Sequence, residues 1–411
     1  MLPQPVKTHV PSIFQLIISL IGLVTSVMAV VFLWFMLRLG GSMQMLVETS
    51  DRQVRLFMWL TLVIALVSVP SLIVSIRRLA RLPQKPVKRQ SLLLIASIAF
   101  LVLIPLVFMC YQYPALLDSA LGQVVFTTLA VAVPLWWFVE LGSYKLRRGS
   151  LQRFWGLINF EVFAGMPLII FFEVLAIAAV MIVGGVWLVN QVDFIPLLMT
   201  LQTQLMIDPQ DLSILSEQAS QIFQKPGVMV TGLLVIVILI PLVEEIFKPL
   251  ALWFFIKKQW SPAEGFSAGL ICGAAFALVE SLTAVVSVTQ DNWLPTLIAR
   301  VGTGLLHILA SGLTGWALVS AWRDRKFIRL AITYLVSALL HGTWNFFAIL
   351  YGLDNTGISL ISPDAVIVKI SPWILGVLIV GMLGTLIFMN KKMQDSTTPS
   401  IIPSLPVETI G

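Results

Sequence analysis

The sequence predicts an all-α fold, a polytopic membrane helix bundle with about ten transmembrane helices. Hydrophobic residues make up 58% of the 411-residue chain and charged residues only 11%, whereas soluble domains carry about 25% charged residues. Mean hydropathy is +0.96. Apolar runs of about 20 residues, the length that crosses a bilayer, recur along the chain. They are placed at about 13–37, 57–76, 91–111, 124–141, 164–189, 228–256, 263–288, 297–322, 330–351 and 372–389.

The basic residues predict how these helices are oriented. Most of the 26 Lys and Arg residues fall in loops on one side, above all in 77–89, 145–153 and 323–329. The positive-inside rule makes that side cytoplasmic, so both termini are expected inside and the loop 190–227 outside. Within that loop, 208–223 is either a short interfacial helix or an ordinary connection, and both interpretations stay open.

Charge and composition also limit partners and divide the chain. The net charge of +6 is explained by the basic loops, and no basic run interleaved with aromatics predicts nucleic-acid binding. Residues 1–90 are expected to form an accessory two-helix region, 91–392 the multi-helix core, and 393–411 a disordered cytoplasmic tail rich in Pro, Ser and Thr. Cys110 and Cys272 lie in apolar stretches and are expected to be buried and free.

The sixth predicted span carries charges near its middle. Glu244 and Glu245 are adjacent there, and Lys248 follows within one turn, so it can reach either carboxylate. A charge at the bilayer centre costs at least about 2.5–3.5 kcal/mol, so intramembrane charges call for an explanation. A structural Glu245–Lys248 ion pair is one such explanation.

The next three spans each contribute further polar groups at similar depth. Glu280 lies in the seventh span, His307 in the eighth, and His341 and Asn345 lie one turn apart in the ninth. Counted at 1.5 Å per residue, these groups fall within one or two turns of one another and of the sixth-span glutamates. Singly, each could be a hydrogen bond between helices. Their conjunction on four consecutive spans predicts one shared polar site.

Other polar and aromatic residues rank lower. Glu173, inside the fifth span, is a candidate for the same cavity or for a structural bond. Glu140 and Glu161 are expected near helix ends, where they can reach the interface. Tryptophans near span ends, among them Trp293, fit an aromatic belt.

The four polar motifs resemble those of the PrsW-type intramembrane proteases, relatives of the CAAX prenyl proteases and bacteriocin-processing enzymes. The matching residues, over about 230–350, are Glu244-Glu245-x-x-Lys248, Phe276-x-x-x-Glu280, a lone His307 and His341-x-x-x-Asn345. The PrsW pattern ends in Asp where this chain has Asn345, as in the CAAX-protease relatives, so an anionic ligand at that position is in doubt. The resemblance implies an intramembrane protease that cleaves a membrane-anchored protein substrate, such as an anti-sigma factor, in a prokaryotic cell membrane.

The residue chemistry suits this reaction, because amide hydrolysis needs an activated water and donors for the oxyanion. Glu244 is the expected general base, with Glu245 and Lys248 orienting it. Glu280 is a candidate second acid or ligand, and Phe276 has a structural role in the resemblance.

The cofactor stays open. His307 and His341 with Glu244 or Glu280 have the chemistry of a catalytic zinc site. The histidines could equally bind the water or oxyanion without a metal, with Asn345 donating to the oxyanion. The positive charge of Lys248 and the neutral Asn345 favour the metal-free alternative.

Two other functions compete with proteolysis. Buried Glu, His and Lys residues also build the proton relays of ion-coupled transporters. The polar residues cluster in one half of the chain, however, whereas many transporters repeat such elements in both halves. A catalytically inactive scaffold would be expected to lack parts of the constellation, and Asn345 is its one departure. The oligomeric state and the identity of the substrate do not follow from the sequence.

Overall fold

The computed structural model describes ten helical segments that are long enough and apolar enough to cross a membrane. This confirms the predicted membrane bundle, and no strand occurs in the part of the chain that is described. The described residues are 10–39, 51–82, 92–189, 196, 199, 202, 203, 226–255, 260–286, 288, 290–356 and 365–395. The segments 208–223 and 396–411, where an interfacial helix and most of the tail were predicted, lie outside them.

The helices are named in chain order. The first seven are α1 (Val10–Leu39), α2 (Asp51–Leu66), α3 (Ser68–Leu79), α4 (Leu92–Gln112), α5 (Ala120–Gly142), α6 (Leu151–Phe160) and α7 (Met166–Val189). The others are α8 (Pro226–Leu234), α9 (Ile240–Phe247), α10 (Leu250–Phe255), α11 (Pro262–Val286), α12 (Gln290–Asp324), α13 (Phe327–Thr356) and α14 (Val366–Asp395). Two π-helical turns, Glu161–Gly165 and Val235–Leu239, join α6 to α7 and α8 to α9.

The α11–α12 pair forms the centre of the bundle. A Cβ atom added to Gly269 would lie 2.1 Å from the Ser311 carbonyl oxygen, and one added to Gly273 would lie 2.3 Å from that of His307. Only glycine permits so close an approach, which is the small-residue packing expected between membrane helices. The most apolar stretches of these two spans are 67% and 89% buried inside the protein. A polar group on either helix is therefore shielded from lipid.

The fifth span begins earlier than the sequence predicted. It runs from Leu151 to Val186 instead of starting at 164, because the first π-helical turn continues α6 into α7 without a break. Glu161 therefore lies inside the span and is fully buried. Its predicted position at the interface is wrong.

Two other residues predicted at the membrane interface are also enclosed. Glu140 is 4% exposed and forms an ion pair with Arg148. Trp293 is 2% exposed and donates its indole N–H to Thr127 Oγ1 at 3.0 Å. Hydrogen-bond and ion-pair partners on the protein explain their burial.

The first helices contact the remainder of the bundle through polar side chains. Gln152 Nε2 donates to Ser12 Oγ at 2.8 Å, and Arg52 donates to Gln123 Oε1 at 2.7 Å. The N-terminal helices are thus hydrogen-bonded to α5 and α6. The division at residue 90 remains a prediction.

Candidate active site

The sixth span is irregular where it approaches the polar residues. Pro241 has no N–H to offer the Val237 carbonyl four residues earlier, and a Cβ on Gly342 of α13 would lie 2.1 Å from that carbonyl oxygen. Asn345 Nδ2, one turn further along α13, donates to the Ile236 carbonyl at 3.1 Å. The second π-helical turn is therefore held directly against α13.

Lys248 lies at the centre of the polar residues and is fully buried. Its Nζ is 2.7 Å from Glu244 Oε2 and 2.7 Å from Glu245 Oε1. The same nitrogen is 2.8 Å from His307 Nδ1 and 4.6 Å from the centroid of the Phe276 ring. The ammonium group thus has two hydrogen-bond acceptors and a second carboxylate in ion-pair contact, and the aromatic ring adds a cation–π contact.

The contact with Lys248 determines the tautomer of His307. Because an ammonium group can only donate, His307 Nδ1 must accept, and the proton of the neutral ring is then on Nε2. His307 Nε2 lies 2.8 Å from Glu280 Oε2, to which it donates. Both ring nitrogens of this fully buried histidine are therefore engaged.

Arg300 is a site residue that the sequence analysis did not single out. The structure places it on α12, where its guanidinium pairs with the same Glu280 oxygen that accepts from His307. Its position seven residues before His307 is a helical spacing that puts both side chains on one face, and this signal was available in the sequence.

His341 and the two glutamates complete the group. His341 Nδ1 lies 3.0 Å from Glu245 Oε1 and 3.8 Å from Glu244 Oε2. The rings of His307 and His341 are nearly perpendicular, with centroids 5.0 Å apart. Glu245 thus accepts from Lys248 and from His341 and is wholly enclosed, whereas the Glu244 side chain keeps 7% of its surface exposed.

A further carboxylate approaches from α7. The Phe172 ring stacks on Phe247 of α9 with centroids 4.5 Å apart, and the neighbouring Glu173 lies near Glu244. Glu173 was a lower-ranked candidate in the sequence, and the structure brings it to the edge of the same group.

The donor set fits a metal ion in number and chemistry. Glu244, Glu245, His307 and His341 each offer a ligand atom, and these atoms lie within 4.8 Å of one another. Carboxylate and imidazole ligands suit Zn²⁺. The Lys248 ammonium already occupies the space between three of these ligands, and a cation there would have to replace it. Glu280, an alternative ligand in the sequence, lies on the far side of His307.

A comparison with known families agrees with this site. Residues 194–387 match the model of a family described as PrsW family intramembrane metalloprotease. No curated protein and no solved structure matches the chain. The matched segment includes all the members of the cluster around Lys248, which are Glu244, Glu245, Lys248, Phe276, Glu280, Arg300, His307 and His341. Over residues 194–387, just under half of the chain, the protein is similar to the PrsW family of intramembrane proteases, and this match supports a protease.

Proposed function

We propose that the cluster around Lys248 hydrolyses peptide bonds of membrane-anchored protein substrates with a water molecule that Glu244 activates. The observation that carries this assignment is the difference between the two adjacent glutamates. Glu245 is enclosed and bonded to Lys248 and His341, whereas Glu244 keeps an exposed edge while Lys248 holds its other side. Glu244 is thus the carboxylate that a water molecule can reach.

In this mechanism the Glu244 carboxylate accepts a proton from water as the water oxygen attacks the scissile carbonyl carbon. The carbonyl oxygen gains negative charge. The buried Lys248 ammonium lies next to Glu244 and can stabilise that charge. The C–N bond then breaks, and Glu244 returns its proton to the leaving amine. One water molecule is consumed, and the products are a carboxylic acid and an amine.

The histidines have different parts in this proposal. Since His341 donates from Nδ1 to Glu245, its neutral ring keeps a lone pair on Nε2, which can accept a hydrogen bond from the attacking water. His307, held by Glu280 and Arg300, fixes Lys248 through Nδ1 and acts as a positioning residue. Phe276 supports the same ammonium from its ring face.

Asn345 is better supported as a positioning residue than as the oxyanion donor that the sequence suggested. Its amide donates to the Ile236 carbonyl and so holds the π-helical turn against α13. That turn leads directly into α9, which carries Glu244 and Glu245.

A metal ion is the second mechanism that the donor set supports. Glu244, Glu245, His307 and His341 would hold it, and when bound it would supply a Lewis acid and an activated water. The family description as a metalloprotease supports this alternative, whereas the position of Lys248 supports the metal-free one.

The substrate class rests on the resemblance of the motifs and on the family. A single-pass, membrane-anchored regulator of the anti-sigma-factor kind is the candidate, cleaved in a prokaryotic cell membrane. The transporter alternative is not favoured, because the segment that carries the buried charges matches a protease family.

The test is a comparison of membrane proteomes from cells that carry wild-type protein, Glu244→Gln or His341→Ala. A membrane-anchored substrate should accumulate uncleaved in both variants, and cleavage of the purified substrate by Glu244→Gln should fall by about 10²-fold to 10⁴-fold, as for loss of a general base. Glu264→Gln is the matched control, because Glu264 pairs with Arg153 away from the cluster. Near-wild-type cleavage by Glu244→Gln would exclude Glu244 as the base.

A further inference from the structure

Glu161 is a buried carboxylate that the proposed mechanism does not use. It opens the π-helical turn Glu161–Gly165 and has no exposed surface. Neither of its carboxylate oxygens has a hydrogen-bond partner among the described residues. The carboxylate is folded onto Gly165, where an added Cβ would lie 2.8 Å from Oε2.

The packing of α6 against α11 gives the level of Glu161 in the bundle. Arg153 and Glu264 form an ion pair, 3.3 Å between nitrogen and oxygen, at the end where both helices begin. Glu161 lies eight residues after Arg153, and Cys272 lies eight residues after Glu264. Each interval corresponds to a rise of about 12 Å along the helix. Arg153, Leu157 and Glu161 recur every four residues and so share a face.

Because α6 packs against α11, the equal distance of Glu161 and Cys272 from this ion pair puts both at one level. Phe276 lies one turn beyond Cys272 on α11, and the Lys248 ammonium lies over the face of its ring. Glu161 is therefore about one helical turn away from the cluster, on the side where α6 and α11 begin.

Several buried carboxylate oxygens near this level have no hydrogen-bond donor among the described residues. Lys248 is hydrogen-bonded to Glu245 and His307 and forms an ion pair with Glu244. Glu245 Oε2, like both oxygens of Glu161, has no hydrogen-bond partner within the described residues. An unsatisfied buried acceptor is destabilising, and internal water usually satisfies such a group because it can donate two protons.

We propose that Glu161 anchors an internal water site at the level of Cys272, one helical turn from the cluster around Lys248. Water held there is positioned to replace the water that hydrolysis consumes. This last step rests on the proposed function, whereas the water site itself does not.

The site can be tested by hydroxyl-radical footprinting of the intact protein in heavy-oxygen water, since radicals form where water is bound. Cys272 and Cys110 are both buried, and Cys110 lies on the apolar helix α4, so it is the internal control. In the wild-type protein, Cys272 should incorporate heavy oxygen several-fold faster than Cys110. Equal rates at the two cysteines would overturn the proposal.

Three variants assign the water to Glu161. Glu161→Leu should lower Cys272 labelling to the Cys110 level, and Gly165→Ala should lower it by displacing the carboxylate. Glu161→Gln should keep it, because an amide still binds water. Only variants that retain the wild-type melting temperature are compared, and Gly165→Ala and Glu161→Gln serve if Glu161→Leu does not fold. Unchanged labelling in Glu161→Leu or Gly165→Ala would overturn the assignment. Because labelling needs no substrate, this failure is distinguishable from failure of the protease assignment.

Discussion

At the scale of single residues, Lys248 balances the negative charge of the site. It touches both adjacent glutamates and His307, although the sequence suggested only a local pairing with the glutamates. If the ion pair with Glu245 were its only contact, Lys248 would be left buried and unpaired in a Glu245→Gln variant. Glu244 and His307 still bind Lys248 in that variant, so the larger destabilisation belongs to the loss of the lysine.

Lys248→Met should therefore be strongly destabilising. It removes the ammonium from two buried carboxylates, and breaking a buried ion pair typically costs about 3–5 kcal/mol. Thermal unfolding of the detergent-solubilised variant should show a clear drop in melting temperature. Lys326→Met is the matched control, since the Lys326 side chain is 49% exposed and its loss should change stability by less than about 1 kcal/mol. Equal melting temperatures for the two variants would contradict the central role of Lys248.

The position of Lys248 also predicts the metal content. With its ammonium between the ligands, purified wild-type protein should contain zinc well below one equivalent, and Lys248→Met should bind more because the position is opened. Elemental analysis of wild type, Lys248→Met and His307→Ala measures this directly. Stoichiometric zinc in the wild type that is lost in His307→Ala, with activity restored by added metal, would establish the metal-dependent mechanism instead.

At the scale of helices, the glycines of α11 determine how near His307 comes to Glu280 and Lys248. Gly269 and Gly273 allow α11 to lie against the α12 backbone at Ser311 and His307. The cluster therefore depends on backbone contact as well as on its charged side chains, because a small separation of these helices would lengthen the 2.8 Å contact between His307 and Glu280.

Gly273→Ala should lower both stability and proteolysis. Its new Cβ would lie 2.3 Å from the His307 carbonyl oxygen, so α11 and α12 must separate, and overpacking of this kind costs about 1–3 kcal/mol. Gly184→Ala is the control, because nothing lies within 4 Å of its added Cβ. Melting temperature and cleavage rate are the measurements. A Gly273→Ala protein that matches Gly184→Ala in both would show that the α11–α12 contact is not critical.

The sequence predicted the spans and most members of the cluster, although not Arg300, because both follow from distance along a helix. A rise of 1.5 Å per residue places Glu244, Glu280, His307 and His341 at one depth without knowledge of the packing. The same arithmetic could not reveal that Lys248 bonds to His307, 59 residues away. That contact depends on how α9 and α12 are rotated about their axes.

The burial of Glu161 escaped prediction for another reason. Residues 151–163 include Arg153, Asn159 and Glu161, which lower the local hydropathy, so the span was expected to begin only at 164. In the structure these polar residues face other helices instead of lipid, and the π-helical turn carries the helix through without interruption. Hydropathy measures the average environment of a segment and not the direction in which each side chain points.

At the scale of the whole molecule, the even number of spans and the basic loops predict that both termini are cytoplasmic. Reporter fusions after Gln90, Gly149 and Gln259 should report the cytoplasm, because the adjoining loops carry the Arg and Lys clusters of the positive-inside pattern. Fusions within 205–220 should report the outside. In this topology α6 and α11 both begin on the cytoplasmic side of the membrane. Glu161 would then lie on the cytoplasmic side of Lys248. An external signal at Gly149 would invert that arrangement and exclude the predicted topology.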